Sequence, residues 1–314
     1  MMREQEIRNM ADEIGIDLIG FFSVEPLEEC LPYLEARAEA GLVTGFEGGT
    51  PEERIDYRLA FPEAKAGLVI GVNYYQEIEK KPDHKKRGAL ASVAWGEDYH
   101  RVLGSLMTEL MRKINDALEL RGEKKLSYQA FVDNSPLVDR GSAYRSGLGF
   151  FGKNNLLINR VYGSYFFIGQ LLVDQPIAFK PAKQVPNGCG ACRRCLDACP
   201  HQALGEGYTL EPEKCMSYLT QKKELSEAEE SRVHDYLYGC DCCQQACPYN
   251  QNLKKTRQAR FLTSYEAAYL DLEALNELTN REFKERYGRT AAGWRGKKIL
   301  LRNARLVEKN NKKK

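Results

Sequence analysis

The stretch Cys189-Gly190-Ala191-Cys192-Arg193-Arg194-Cys195-Leu196-Asp197-Ala198-Cys199-Pro200 spaces four cysteines by two, two and three residues and ends on proline. In that spacing three thiolates hold one 4Fe–4S cluster and the fourth reaches across to a second. A second run, Cys240-Asp241-Cys242-Cys243-Gln244-Gln245-Ala246-Cys247-Pro248, repeats the ending, but Leu237 stands where its first cysteine would fall. Cys215, upstream and otherwise unassigned, is the natural replacement. The pattern gives one cluster to Cys189, Cys192, Cys195 and Cys247, and the other to Cys199, Cys215, Cys240 and Cys243. Cys242 is left over, because adjacent side chains rarely aim at one metal. A pair of four-cysteine zinc sites is the competing reading. Three cysteines packed two apart wrap a cuboidal cluster rather than a single ion, which favours iron–sulfur centres. A chain built this way moves single electrons.

With 314 residues the chain is long enough for two domains and at least one sizeable core. No run approaches the roughly 20 apolar residues of a membrane span. The start, Met1-Met2-Arg3-Glu4-Gln5-Glu6, shows neither a basic-then-apolar signal nor a twin-arginine pair. Cysteines grouped for metal then point to a reducing cytoplasm. The tenth cysteine, Cys30, shares helical spacing with Leu27, Leu31 and Leu34 and reads as a core residue. Charge is uneven. The whole chain carries 46 Lys and Arg against 44 Asp and Glu, whereas residues 281–314 hold 13 basic and 3 acidic groups. With Tyr287 and Trp294 interleaved, that segment suits a phosphate backbone. A solvated tail, as Lys312-Lys313-Lys314 alone suggests, is the plainer alternative.

The first half alternates helix and strand signals. Residues 3–14 and 26–40 read as helices, the second stopped by Gly41, with buried strands over 16–24 and 67–74. Leu103, Leu106, Met107, Leu110, Ile114, Ala117 and Leu118 form one face of a long helix closing near Gly122. A strand over 127–132, a helix over 136–146 and strands at 156–158 and 165–168 follow. The proline-bearing 174–186 stretch reads as a linker. Gly149-Phe150-Phe151-Gly152-Lys153-Asn154 lacks both P-loop and dinucleotide spacing. It reads as a close backbone approach to something flat and large. Asp133 ends a strand, where carboxylates commonly face the ligand crevice of α/β folds. An N-cap or turn aspartate is the alternative there.

Several stretches together resemble the epoxyqueuosine reductase family. They are Gly96-Glu97-Asp98-Tyr99-His100, Val132-Asp133-Asn134 with Asp139-Arg140, Arg145-Ser146-Gly147-Leu148-Gly149, Gly152-Lys153-Asn154 and Gly163-Ser164-Tyr165. Cys215-Met216-Ser217-Tyr218-Leu219-Thr220, Tyr238-Gly239-Cys240-Asp241 and Cys243-Gln244 extend the match, which runs in order from about Arg54 to Asn303. The resemblance implies an α+β chain. Its N-terminal nitroreductase-like α/β cobalamin-binding domain would cover 1–178, a two-cluster ferredoxin-like domain 179–255, and a short helical basic segment 256–314. It implies an oxidoreductase that converts epoxyqueuosine to queuosine at the tRNA wobble position, the last step of queuosine synthesis. Two clusters would feed a base-off cobalamin one electron at a time. Asp133 matches the family's proton donor, with a pKa raised by desolvation against the corrin.

By motif position the cobalamin contacts are Arg54, Asp133, Leu157, Ile168, Ser217 and Asp241, several through backbone groups. Leu157 and Ile168 read equally well as core. The cobalt-ligand pattern D-x-H-x-x-G is absent, since Asp98-Tyr99-His100 runs one residue too long before Gly104. Many relatives continue into helical repeats beyond residue 304, so the expected grip on tRNA falls to Lys254, Lys255, Arg257 and Arg260, and to Lys297, Lys298, Arg302 and Arg305. An anticodon base would be splayed into the site. A flavodoxin- or ferredoxin-type electron donor, no membrane partner and a monomer are expected. Two alternatives share some of these parts: a corrinoid reductive dehalogenase, and a non-catalytic electron-transfer subunit.

Overall fold

The computed structural model describes residues 3–79 and 84–311, so Met1-Met2 and the Lys312-Lys313-Lys314 tail lie outside the described residues. The chain forms two compact units, one of Met1–Asn73, His100–Gly152 and Leu156–Gly190, the other of Tyr74–Tyr99, Lys153–Asn155 and Ala191–Lys314. These units do not follow the three consecutive segments expected from the sequence. The strand Arg87–Leu90 carries its neighbourhood into the second unit by pairing with Tyr236–Tyr238 and Tyr269–Asp271. The C-terminal segment is likewise part of that unit's core rather than a separate body. Mixed helix and sheet content makes the chain α+β.

The first unit is built on a four-stranded antiparallel sheet in the order Leu18–Phe22, Ala66–Asn73, Phe166–Val173, Tyr128–Val132. Every residue of Ala66–Asn73 is buried, as its unbroken apolar run demands of a central strand. One face takes the helix Tyr99–Leu120, which buries Val102, Leu103, Leu106, Met107, Leu110, Met111, Ile114 and Leu118. Gly169 lets that helix come close. A Cβ there would stand 3.1 Å from Met107 Sδ and 3.3 Å from Leu103. The helix ends as expected near Gly122, which takes φ +69°. The other face carries a core of Phe22, Leu27, Cys30, Leu34, Val69, Leu148, Leu157 and Leu172, with Ile168 packed at its margin. Cys30 is therefore a core thiol, pushed up to about 11 chiefly by burial.

The short helix Asp139–Arg145 lies on this second face and is pinned at both ends of its inner side. Tyr57 Oη and Ser142 Oγ are 2.7 Å apart, and Arg145 bonds Glu29 through Nε at 2.9 Å and Nη2 at 2.6 Å. The glycine-rich 149–154 stretch behaves differently from expectation. Phe150–Phe151 pairs with Leu157–Ile158 as a small hairpin. A Cβ on Gly149 would stand 2.4 Å from the Ile158 carbonyl oxygen, so the close approach is to the chain's own backbone.

In the second unit, Leu90, Leu219, Val233, Leu237, Leu270, Leu275, Phe283, Leu300, Ala304 and Val307 form the core. The C-terminal helix Lys297–Asn311 supplies its last members. Asn303 is wholly buried and donates to the Thr220 and Leu237 carbonyls at 2.7 and 2.8 Å. Arg302 beside it donates to the carbonyls of Lys222, Lys223 and Leu219.

Candidate active site

The strand Tyr128–Val132 hands over to a bend whose first residue, Asp133, takes φ +51°. Left-handed backbone disfavours most side chains and is tolerated best by Asn and Asp. The Asp133 side chain is 58% exposed, and its Oδ2 lies 3.8 Å from His100 Nε2. The same imidazole nitrogen is 3.3 Å from Asn134 Nδ2. The cap reading of Asp133 is overturned by geometry: the following helix begins at Asp139, its N-cap is Val138, and no side chain caps it. Protein atoms leave the Asp133 carboxyl accessible, so the desolvation expected there requires a bound ligand.

Behind this turn sits a second carboxyl that sequence reasoning passed over as a motif letter. Gln170 is fully buried on the strand Phe166–Val173, and its Nε2 donates to Asp139 Oδ1. The other amide atom, Gln170 Oε1, is buried with no hydrogen-bond partner among the described residues. Burial, and then the neighbouring Asp133 charge, push the Asp139 carboxyl up to about 7, while the Gln170 bond, Arg140 and Arg54 pull the other way. The sheet register explains the meeting. Phe131 pairs with Gln170 and Val132 with Gly169, where the pairing stops and Asp133 turns into left-handed backbone. A period of two could have put Ile168 and Gln170 on one face. Nothing in the local sequence tied that face to Asp139.

The cysteine region belongs to the second unit from residue 191 on. The short helices Arg194–Asp197 and Cys242–Gln245 pack against each other. Cys199 Sγ accepts a hydrogen bond from Ala203 N at 3.3 Å. Burial raises the Cys215 thiol, with the charge of Cys199 adding to it. Burial also raises Cys243, with Cys215, Cys199, Asp241 and Cys195 contributing further. Cys195, Cys199, Cys215 and Cys243 therefore lie in one electrostatic neighbourhood, which draws on both expected ligand sets. Cys240 and Cys242 hydrogen-bond through their side chains, which places the leftover thiol beside a ligand candidate. Of the other set, Cys247 is buried, and Cys189, Cys192 and Cys195 are half-buried. Among the described residues no three His, Cys, Asp or Glu are arranged around a single metal ion. All ten cysteines are free thiols, a donor set that suits iron–sulfur clusters.

The remaining candidates divide by what already engages them. Arg54 Nη1 holds Glu47 at 2.8 Å. Both Asp241 oxygens are taken by Ser92, at 2.8 Å from its N and 3.1 Å from its Oγ, and burial pushes the carboxyl up to about 6. The Ser217 carbonyl accepts from Thr220 and Gln221. Leu157 is a core residue, while Ile168 keeps part of its surface. Asp133 is the exposed polar group of this set, and Ile168 is an apolar group that keeps part of its surface. Among the basic candidates, Lys254, Lys255, Arg257, Lys298 and Arg305 are exposed. Lys255 meets Glu77, Arg260 meets Glu97, and Lys297 donates to the Leu278 carbonyl. Arg302 is committed to the backbone contacts described above. Arg302 is thus a structural clamp first.

An accessible acid at a strand end, with thiolate runs spaced for two clusters, defines the class as an iron–sulfur oxidoreductase. Residues 54–134 match the family described as "Epoxyqueuosine reductase QueG, DUF1730", and 188–250 match a "4Fe-4S double cluster binding domain". The chain is 36% identical over 304 residues to the epoxyqueuosine reductase of Lactococcus garvieae, covering 96% of this chain and 84% of that one. Among solved structures, an epoxyqueuosine reductase with an epoxyqueuosine-modified tRNA-Tyr stem loop superposes with a TM-score of 0.90. It is 32% identical, over 98% of this chain and 81% of the other. The Bacillus subtilis epoxyqueuosine reductase, captured with its catalytic aspartate loop swung out of the active site, gives 0.89 at 32% identity over the same shares. The chain belongs to the epoxyqueuosine reductase family. No helix among the described residues is long and apolar enough to cross a membrane.

Proposed function

We propose that this chain reduces epoxyqueuosine to queuosine at the tRNA wobble position, with Asp133 as the proton donor. The observation that carries the residue assignment is the Asp133 turn: an accessible carboxyl in left-handed backbone, capping no helix. Family membership and the stem-loop complex of a relative support the substrate. The reaction turns an epoxide into an alkene. Two C–O bonds break, and the oxygen leaves as water after taking up two electrons and two protons. Bound cobalamin, fed through two 4Fe–4S clusters, would supply the electrons at low potential. Asp133 would give a proton to the departing oxygen, and Ile168 would offer apolar surface to the cofactor. The ligand sets Cys189, Cys192, Cys195, Cys247 and Cys199, Cys215, Cys240, Cys243 would hold the clusters, with a flavodoxin- or ferredoxin-type protein as donor to a monomeric, cytoplasmic enzyme.

The tRNA backbone would be met by the exposed cations Lys254, Lys255, Arg257, Lys298 and Arg305, with smaller parts for the half-buried Arg260 and Lys297. Anaerobic incubation with epoxyqueuosine-containing tRNA, scored by nucleoside mass, tests the reading. Queuosine should appear only with cobalamin and a low-potential reductant. A protein that carries eight irons and takes up cobalamin yet leaves the epoxide intact would overturn it.

A further inference from the structure

The oxygen must be protonated twice in each turnover, yet the acid turn exposes one carboxyl. After the first transfer, Asp133 is a carboxylate and must be recharged before the second C–O bond breaks. A side chain that can do this is already in place. His100, the second residue of the helix Tyr99–Leu120, holds Nε2 at 3.8 Å from Asp133 Oδ2 and 3.3 Å from Asn134 Nδ2. One nitrogen facing two neighbours gives two alternative bonds. In the neutral ring Nε2 accepts from the Asn134 amide, which ties the turn to the helix. In the imidazolium Nε2 carries a proton and can no longer accept, so its partner becomes the Asp133 carboxylate.

We propose that His100 is the positioning and proton-returning residue for Asp133 in the reduction, an inference that rests on the reading of Asp133 as proton donor. When Asp133 gives its proton to the departing oxygen, the new carboxylate favours protonation of His100: Nε2 of the neutral ring takes a proton from water, lets go of Asn134 and pairs with Asp133 Oδ2. The Nε2–H bond then breaks, an O–H bond forms on Asp133 Oδ2, and the ring returns neutral to Asn134. The His100 side chain is 33% exposed, so its next proton comes from water. No electron moves in this step. Asp139 feels the Asp133 charge, and Arg140 and Arg54 act on Asp139 in turn. The exchange holds the turn to the helix in either charge state, through Asn134 or through Asp133.

Two measurements on the full chain test this. The first needs no turnover: histidine NMR of the cluster-containing protein without cobalamin. The chain has four histidines, so the signal lost in His100→Gln identifies His100. Its titration midpoint should fall by roughly half a unit or more in Asp133→Asn, because an opposite charge within about 4–6 Å favours the imidazolium. An unmoved midpoint overturns the proposal. The second is kinetic. His100→Ala and His100→Gln should lower kcat by about ten- to a hundredfold, within the usual worth of positioned proton transfer, with KM for tRNA little changed. Added imidazole should restore His100→Ala several-fold and leave His100→Gln, where the space is filled, unrescued. Wild-type kcat in both variants, or a loss without rescue that tracks the melting temperature, overturns it. Full turnover in Asp133→Asn would remove the reading of Asp133 instead, while the NMR coupling still decides whether the two side chains act as a pair.

Discussion

The cysteine runs draw their donors from 189–199 and 240–247 with Cys215 between, whereas the acid turn gathers His100, Asp133, Asp139 and Gln170 from four separate elements. The thiolate spacing is local, because each run must wrap one face of a cluster within a few residues. The turn depends on strand register. It exists because Val132 pairs with Gly169 and the helix Asp139–Arg145 is pinned by Tyr57 and Glu29. A donor set written in consecutive residues tolerates change around it; one assembled by register does not. The two carboxyls of the turn differ as well. Asp133 is accessible, and Asp139 is half-buried and bonded to Gln170.

The largest effect should come from the accessible carboxyl. Asp133→Asn keeps shape and removes the proton, so turnover should fall by roughly two to four orders of magnitude. Melting temperature should stay within a degree or two, because the carboxyl is exposed and caps no helix. Single-turnover rate and melting measured on one preparation check both halves. The cysteine side of the comparison is tested by iron. Reconstituted protein should hold about eight irons. Cys215→Ser should lose about half of them, while Cys242→Ser should keep the full count even though Cys242 contacts Cys240.

Next in size is the C-terminal helix. Arg302→Gln removes bonds to three carbonyls, those of buried Leu219, half-buried Lys222 and exposed Lys223, and should cost on the order of 1–3 kcal/mol of stability, read by denaturant unfolding. Lys298→Gln with Arg305→Gln should leave stability unchanged. Their double variant should instead weaken tRNA binding and flatten its salt dependence by roughly 0.7–0.9 per charge removed. If Arg302→Gln shifts the salt slope without touching stability, the clamp and the cation exchange roles.

The smallest effect is a pH slope. Asp139 ionises near 3.8 when unfolded and at about 7 when folded. Between those values the folded state keeps a proton that the unfolded state has lost. Stability from this group is thus fully present below 3.8, declines as pH rises, and is gone above about 7. Asp139→Asn should flatten that decline, so its melting temperature should gain on the parent by a few degrees from pH 5 to pH 8. Parallel curves would show that Asp139 does not titrate in this window.

From the residues alone came the electron-transfer chemistry, the two ligand sets as proposals, the long helix with its apolar face, the buried central strand and Cys30 as core. Each rests on spacing or periodicity within one short window, which is the range over which a chain states its own structure. The family followed from motifs of the same local kind. The folded molecule decided the rest. It placed residues 74–99 with the C-terminal half through strand pairing, committed Arg302 to backbone carbonyls, and met Gly149 with the Ile158 carbonyl rather than with a ligand. It also brought His100 to Asp133, and Gln170 to Asp139. Those contacts join residues 31 or more positions apart, and their geometry depends on register and helix placement, which are fixed only when the whole sheet is packed.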